Sequence, residues 1–430
     1  MFKYYFKNQK KFLFFLTKKI NWKILFFFLI ILLCFYRSPY IFLNGRFVAE
    51  EGSFFFFNAF KNGMFEGLTQ VYWGSSYLNF WANFSSVIAT LFPLKYSPLV
   101  TVYLSFFVKL ILIFFILFQK NSFLSTNTSK YLASLIVIVN PTMVAELWLN
   151  TLVSQVYFTI LAILIFFENE NRKFFFISSL IILLIGSLSS LMVCVLVIGF
   201  FYKYLKSNNF KNLSYFITLA AGTTLQLLIF FYSYINNLAL GGVNERFLIS
   251  LNKIFSYFYN VIVKSVFGRD FSQFFYNNIL NENKFLLFFI LIFFIYLLTF
   301  LLKKEIHLYK KDNASIFILF FFILESFLAI IASKDNLVYG RFSSIPGVLF
   351  IFLILRLCIL SKKNRFFFFS LIFISIFSGF YEFKHNNKFY PEFFECFNCP
   401  NWVEEVNKWE KDKNYILKIW QYPNKLMKLF

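Results

Sequence analysis

Long apolar runs joined by short polar stretches make up most of this chain. Runs rich in Phe, Leu, Ile and Val fall at about 24–43, 98–118, 131–147, 152–167, 174–187, 189–204, 213–234, 285–302, 314–332, 345–360 and 366–380. Most approach the roughly 20 apolar residues with which an α-helix crosses the hydrocarbon core of a bilayer. The pattern predicts an all-α, polytopic transmembrane bundle of about 11 spans. Segment 76–92 is nearly long enough to span, but it mixes Asn and Ser with aromatic residues. Counting it as a crossing would invert every later loop, so it is read as an amphipathic or re-entrant helix on the outer face, with Trp81 and Tyr77 at the interface.

Composition agrees with the pattern: 59% hydrophobic and 14% charged residues exclude a soluble domain. A bundle in lipid needs no water-excluding core, so 430 residues fit one unit plus a tail. Residues 1–380 are the predicted transmembrane domain, with external loops 44–97, 235–284 and 333–344, and 381–430 form an external tail. The 72 Phe residues, beside abundant Lys, Asn and Ile, fit an AT-rich coding bias.

A net charge of +22 raises the question of nucleic acid, but the cations are spread as short clusters between apolar runs, which is how orientation in a membrane is set. Lys3, Lys7, Lys10, Lys11, Lys18, Lys19 and Lys23 precede the first run and place the N-terminus in the cytoplasm. Eleven spans then bring Lys120/Lys130, Arg172/Lys173, Lys203/Lys206/Lys211, Lys303/Lys304/Lys310/Lys311 and Lys362/Lys363/Arg365 to that same side. No small-residue cleavage site follows the first run, so it stays as an anchor. The longer polar loops collect on the outer face, which is the expected working face.

Within the first of these loops, Arg46-Phe-Val-Ala-Glu-Glu-Gly52 presents two adjacent carboxylates, Glu50 and Glu51, at a membrane surface. The stretch through Gly63, followed by Trp73-Gly-Ser-Ser-Tyr-Leu-Asn-Phe80, resembles the first external loop of bacterial multi-spanning proteins related to GT-C glycosyltransferases. Asn140-Pro-Thr-Met-Val-Ala-Glu-Leu-Trp-Leu-Asn-Thr-Leu-Val-Ser-Gln155 and Gly186-Ser-Leu-Ser-Ser190 resemble two hairpins of that group. Tyr339-Gly-Arg-Phe342 resembles its late Arg-aromatic loop, and Asn401–Trp409 with Leu417–Pro423 resembles its tail. The order of these motifs matches along most of the chain. The resemblance implies a GT-C-like bundle in a bacterial inner membrane, a polyprenyl-phosphate sugar as donor, and a glycan or lipid as acceptor. One departure is that the family usually presents Asp where this chain has the longer Glu51.

Sugar transfer from a lipid phosphate needs a base for the acceptor proton and a positive group for the departing phosphate. Glu51 is the candidate base and Glu50 its partner; either carboxylate can also ligate a divalent ion such as Mg or Mn. Arg341 and Arg46 are candidates for the phosphate, since a guanidinium pairs with phosphate oxygens through two parallel hydrogen bonds. The bland alternatives are a helix entry for the acids and interfacial anchoring for the arginines. Asn150 and Gln155 flank a tight turn and either bind a sugar or satisfy open backbone groups. Trp73 and Tyr77 either stack on a sugar ring or belong to an interfacial belt.

Four ionisable residues fall inside predicted spans: Lys109, Glu146, Glu325 and Arg356. Such groups are costly in lipid unless paired or facing a cavity. Glu146 lies near the outer end of its run and can share a cavity with Glu51, whereas Glu325 is expected to pair with Lys109 or Arg356. Cys34, Cys194 and Cys358 read as small apolar side chains, and Cys396-Phe-Asn-Cys399 in the tail as a disulfide staple in an oxidising compartment. With two His residues in the chain, this lone C-x-x-C lacks further ligands for zinc. No Gly-rich nucleotide loop occurs, which argues against an ATP-driven pump. A polysaccharide polymerase, flippase or transporter of envelope biosynthesis is the alternative to a transferase, and a non-catalytic scaffold the third class. Transporters often carry inverted repeats or matched broken helices, and Asn140-Pro141 has no such counterpart here.

Overall fold

The computed structural model describes residues 21–238, 250–276, 312–333, 337–338, 340–385, 400–420 and 425–429. The predicted span 285–302, the N-terminal lysines up to Lys19, Lys303/Lys304/Lys310/Lys311, Tyr339, and Cys396 with Cys399 lie outside them.

The described fold is helical. It opens with α1 (Trp22–Arg37) and α2 (Pro39–Asn44), which together fill the first predicted span. Pro39 lacks an N–H and disfavours helix at Ser38 before it, so the run breaks there. Gly45 then reverses the chain at φ +67; a Cβ here would lie 2.7 Å from the Leu99 nitrogen, so only glycine lets the loop pass this close to the next membrane helix. A π-helical turn, Glu51–Phe56, runs into α3 (Phe57–Asn62), followed by α4 (Met64–Thr69) and α5 (Phe80–Thr90). The α5 helix occupies the segment expected not to span, but it is not an interfacial helix: Trp81, Ala82, Asn83, Ser85, Ser86, Val87 and Ala89 are buried all round it, so Trp81 packs inside the protein instead of lying at the membrane interface.

Next come α6 (Ser97–Phe118), α7 (Asn127–Val139), α8 (Gln155–Phe166), α9 (Lys173–Ser189), α10 (Leu191–Cys194), α11 (Val197–Ser207) and α12 (Phe210–Ile235). After these follow α13 (Leu251–Tyr257), a π-turn Phe258–Val263, α14 (Lys264–Phe267), α15 (Arg269–Phe275), α16 (Asn313–Ala332), α17 (Ser344–Leu360) and α18 (Arg365–His385). Five described helical stretches are long and apolar enough to cross a bilayer: Leu94–Phe118, Phe210–Ile235, Asn313–Ala332, Gly340–Leu360 and Arg365–Phe383. They match five of the predicted spans.

Other predicted spans are shorter than a crossing. The 131–147 run stops as a helix at Val139, because Asn140 precedes Pro141 and its Oδ1 turns back to accept from the Thr142 amide at 2.9 Å. The 152–167 run gives the 12 residues of α8, about 18 Å at 1.5 Å per residue, well under a ~30 Å core. All 12 are buried, so α8 is a protein-enclosed core helix. The 189–204 run is split between α10 and α11. Apolarity marked these segments as lipid-soluble, but neighbours enclose α8 and most of α7, whereas α11 keeps Ile198, Phe201, Tyr202 and Leu205 exposed.

The tail is no separate appendage. Helix α19 (Trp402–Lys411) and the two-residue strands β1 (Leu417–Lys418) and β2 (Leu426–Met427) pack on the first loop. The Trp420 amide donates to the Phe47 carbonyl at 3.1 Å, the Trp402 indole donates to the Leu94 carbonyl at 2.8 Å, and Phe47 meets Trp402 edge-on. Phe56, Val406, Ile419 and Met427 complete a second apolar core distinct from that of the bundle. Glu405 organises this cap, accepting from Lys408, Tyr415 and the Lys418 amide.

The ionisable residues within spans pair differently from expectation. Arg356 does not meet Glu325: its guanidinium grips Asp312 at 2.8 and 2.6 Å. Asp312 also caps α16 through the Ser315 amide, so it is supplied by the helix start next to Arg356. Lys109 instead lies over the rings of Trp148 at 3.7 Å and Tyr157 at 5.0 Å. Glu325 is buried with no ion pair among the described residues.

Candidate functional site

The two acids of the first loop part company because successive residues of a helical turn point about 100° apart. Glu51 turns inward and is fully buried. Its Oε1 accepts from the Thr151 amide at 2.9 Å and from the Thr151 hydroxyl, and its Oε2 from the Val48 amide at 3.4 Å. Burial raises its carboxyl above the usual range, outweighing the bonds from Thr151 and the charge of Arg46. Glu50 turns outward, its side chain 30% exposed, and pairs with Lys425 of the tail at 2.7 Å. Burial pulls its carboxyl up, but the Lys425 bond and charge prevail, assisted by Arg341, and the net displacement is downward.

Arg46 is enclosed, its guanidinium donating to the Trp148 carbonyl at 2.9 Å and lying 4.7 Å from the Trp420 ring. Burial lowers it to about 9, with Glu51 opposing, so it is charged at neutral pH. It thus holds the turn before α8 instead of facing solvent.

That turn is built around Trp148. Arg37 and Lys109 lie 4.3 and 3.7 Å from its ring, and its indole donates to the Ser38 hydroxyl at 2.6 Å. Leu149 follows in the left-handed region at φ 51. Asn150 Oδ1 accepts from the Leu152 amide at 2.9 Å, and Asn79 donates to the Leu152 carbonyl at 3.0 Å. Asn150 therefore closes the turn, and Gln155, also buried, begins α8.

Glu146 is not in a long helix. The break at Pro141 places it on a short 3₁₀ turn, Ala145–Leu147, where it meets Arg341 of the 3₁₀ turn Gly340–Ser343 at 3.7 Å. Both side chains are over one-third exposed or close to it, at 34% and 40%. Glu50, Glu146, Arg341 and Lys425 thus come from four distant segments to one partly exposed face, with Glu51, Arg46 and Trp148 beneath. Lys425 carried no sequence signal beyond its charge.

Trp73 and Tyr77 are grouped elsewhere. Their loop docks on α12, where the Gln226 amide brackets Leu78 at 2.8 and 3.0 Å, Ser76 meets Ser233 at 2.7 Å, and Trp73 lies 5.4 Å from Tyr232.

The acidic pair does not suit a divalent ion in this arrangement. Both Glu51 oxygens already accept protein donors and Glu50 holds an ammonium. No group of three or more His, Cys, Asp or Glu arranged to hold a metal occurs among the described residues. Comparison with protein-family models, curated proteins and solved structures finds no match to this chain.

Proposed function

We propose that the protein is a GT-C-like membrane glycosyltransferase, moving a sugar from a polyprenyl-phosphate donor to an envelope glycan or lipid acceptor. The reading is supported by the gathering of Glu50, Glu146, Arg341 and Lys425 on one face beside the membrane helices. In this reading the donor phosphate enters against Arg341, whose contact with Glu146 is long enough to be replaced by a bidentate phosphate. Glu146, released, takes the proton of the acceptor hydroxyl. The acceptor oxygen bonds the anomeric carbon as its bond to the phosphate oxygen breaks, and the phosphate leaves with charge offset by Arg341. Glu50 is held in register by Lys425, and Glu51 is a positioning residue that ties this loop to Thr151. The lysines ahead of the first span support an inner-membrane topology with the N-terminus cytoplasmic and the first loop outside.

The test is transfer from a polyprenyl-phosphate sugar in vesicles carrying the full chain. Glu146→Gln should lower turnover ~100-fold, the lower range for losing a general base, with membrane insertion unchanged. Full activity of Glu146→Gln at normal abundance would reject this assignment.

A transporter or flippase is the second reading, favoured by one observation. Glu325 is buried in α16 without an ion pair among the described residues, as a proton-carrying carboxyl in a membrane helix would be. Substrate movement lost in Glu325→Gln, with no glycosyl product from the native chain, would favour it.

A further inference from the structure

A groove lies between the α14–α15 segment and α18. Its volume is about 410 Å³; Phe267, Phe271, Phe373 and Phe377 line its length, and Asp270 and Glu382 lie at one end. The phenylalanines of α18 face outward from a membrane-crossing helix, with Phe373 61% and Phe377 69% exposed. The medium around such a face is the bilayer, so an occupant that runs along it is a lipid chain.

The carboxyl end of the groove states the headgroup. Glu382 is only 8% exposed yet lines the groove. Its Oε1 accepts from the Arg269 amide, an approach that Gly268 permits: at φ +87, a Cβ there would lie 2.6 Å from that oxygen. Its Oε2 has no hydrogen-bond partner among the described residues. Lys264, Arg269 and Asp270 act on Glu382 electrostatically, as does Arg37, but the charged groups that line the groove itself are the two acids. A buried acceptor lacking a donor is costly, and an ammonium group supplies both donors and the opposite charge.

We propose that this groove binds an aminophospholipid, with the ammonium of its headgroup held between Glu382 and Asp270 and one acyl chain laid along the four phenylalanines. The inference is independent of the proposed transferase activity, because it uses none of the same residues and its readout is lipid binding.

Native mass spectrometry of the detergent-solubilised full chain, given equal amounts of phosphatidylethanolamine and phosphatidylglycerol with identical acyl chains, tests it. The native protein should retain phosphatidylethanolamine about tenfold more than phosphatidylglycerol, the ratio expected from a charge-assisted hydrogen bond of about 1.5 kcal/mol. Asp270→Asn, at an exposed position, should reduce the preference several-fold, and adding Glu382→Gln should remove it. Equal retention of the two lipids by the native chain, a preference for phosphatidylglycerol, or a preference unchanged in Asp270→Asn would each overturn the assignment.

Discussion

Glu51 and Thr151 are joined through one carboxylate oxygen, Oε1, which accepts both the Thr151 amide at 2.9 Å and its hydroxyl. The bond ties the entry of the first loop to the turn ahead of α8, so the acid that looked most chemical in sequence is a tether. Glu51→Ala should leave the buried Thr151 amide without an acceptor and cost about 1–3 kcal/mol. Glu51→Gln, which keeps one carbonyl oxygen for Thr151, should cost less. Thermal unfolding of the solubilised protein reads both, and equal stability of Glu51→Ala and the native chain would refute the tether.

The Glu50–Lys425 pair gives a pH dependence of defined sign. The carboxyl of Glu50 lies below its ordinary value of 4.5 in the folded protein, so its pairing stabilises the fold above pH 4.5 and is lost as pH falls through the folded value. Glu50→Gln should therefore be less stable than the native chain near neutral pH by up to about 1 kcal/mol, since the pair is partly exposed. The difference should vanish in acid. Glu51 has the opposite sign: its raised carboxyl makes its burial progressively less favourable as pH rises through its folded value. Unfolding midpoints of native protein, Glu50→Gln and Glu51→Gln across a pH series separate the two.

Arg341 distinguishes charge from geometry. Arg341→Lys keeps the cation but loses the planar fork, so the proposed donor should bind more weakly, visible as a raised KM about tenfold while abundance stays normal. Arg341→Ala should lose turnover as well. An Arg341→Lys enzyme with native kinetics would remove the phosphate from this residue.

The Arg356–Asp312 pair is a structural clamp between α16 and α17, mostly enclosed at 8% and 19% side-chain exposure. Arg356→Ala strands an acid in an interior site and should destabilise the fold by about 3 kcal/mol. Replacing both residues by apolar ones should recover most of that loss. The comparison is made by unfolding of the single and double variants.

Trp402 anchors the tail to the first loop through Leu94 and Phe47. Trp402→Ala should release the cap, since removing a buried Trp side chain costs about 3–5 kcal/mol. Limited proteolysis should then cut near residues 400–420 while the membrane helices stay protected. An unchanged digestion pattern would show that the cap is held by other contacts.

Apolar length is a local property, and the sequence alone therefore determined the medium, the helical class and the five full-length spans. Local chemistry also made the helix break at Asn140-Pro141 and the non-spanning character of α5 readable. Runs such as 131–147 and 152–167 misled because apolarity reports transfer out of water and does not distinguish lipid from the interior of a protein. Partners were the other matter left to tertiary structure. Glu50 and Lys425 are 375 residues apart, Glu51 and Thr151 are 100 apart, and Arg356 bonds Asp312 across 44. Charge identifies which residues need a partner in a low-dielectric setting, but the choice among several is made by packing. The folded chain thus turned Glu51 inward and Glu50 outward, decided that Arg46 supports a turn, and brought Glu146 to Arg341.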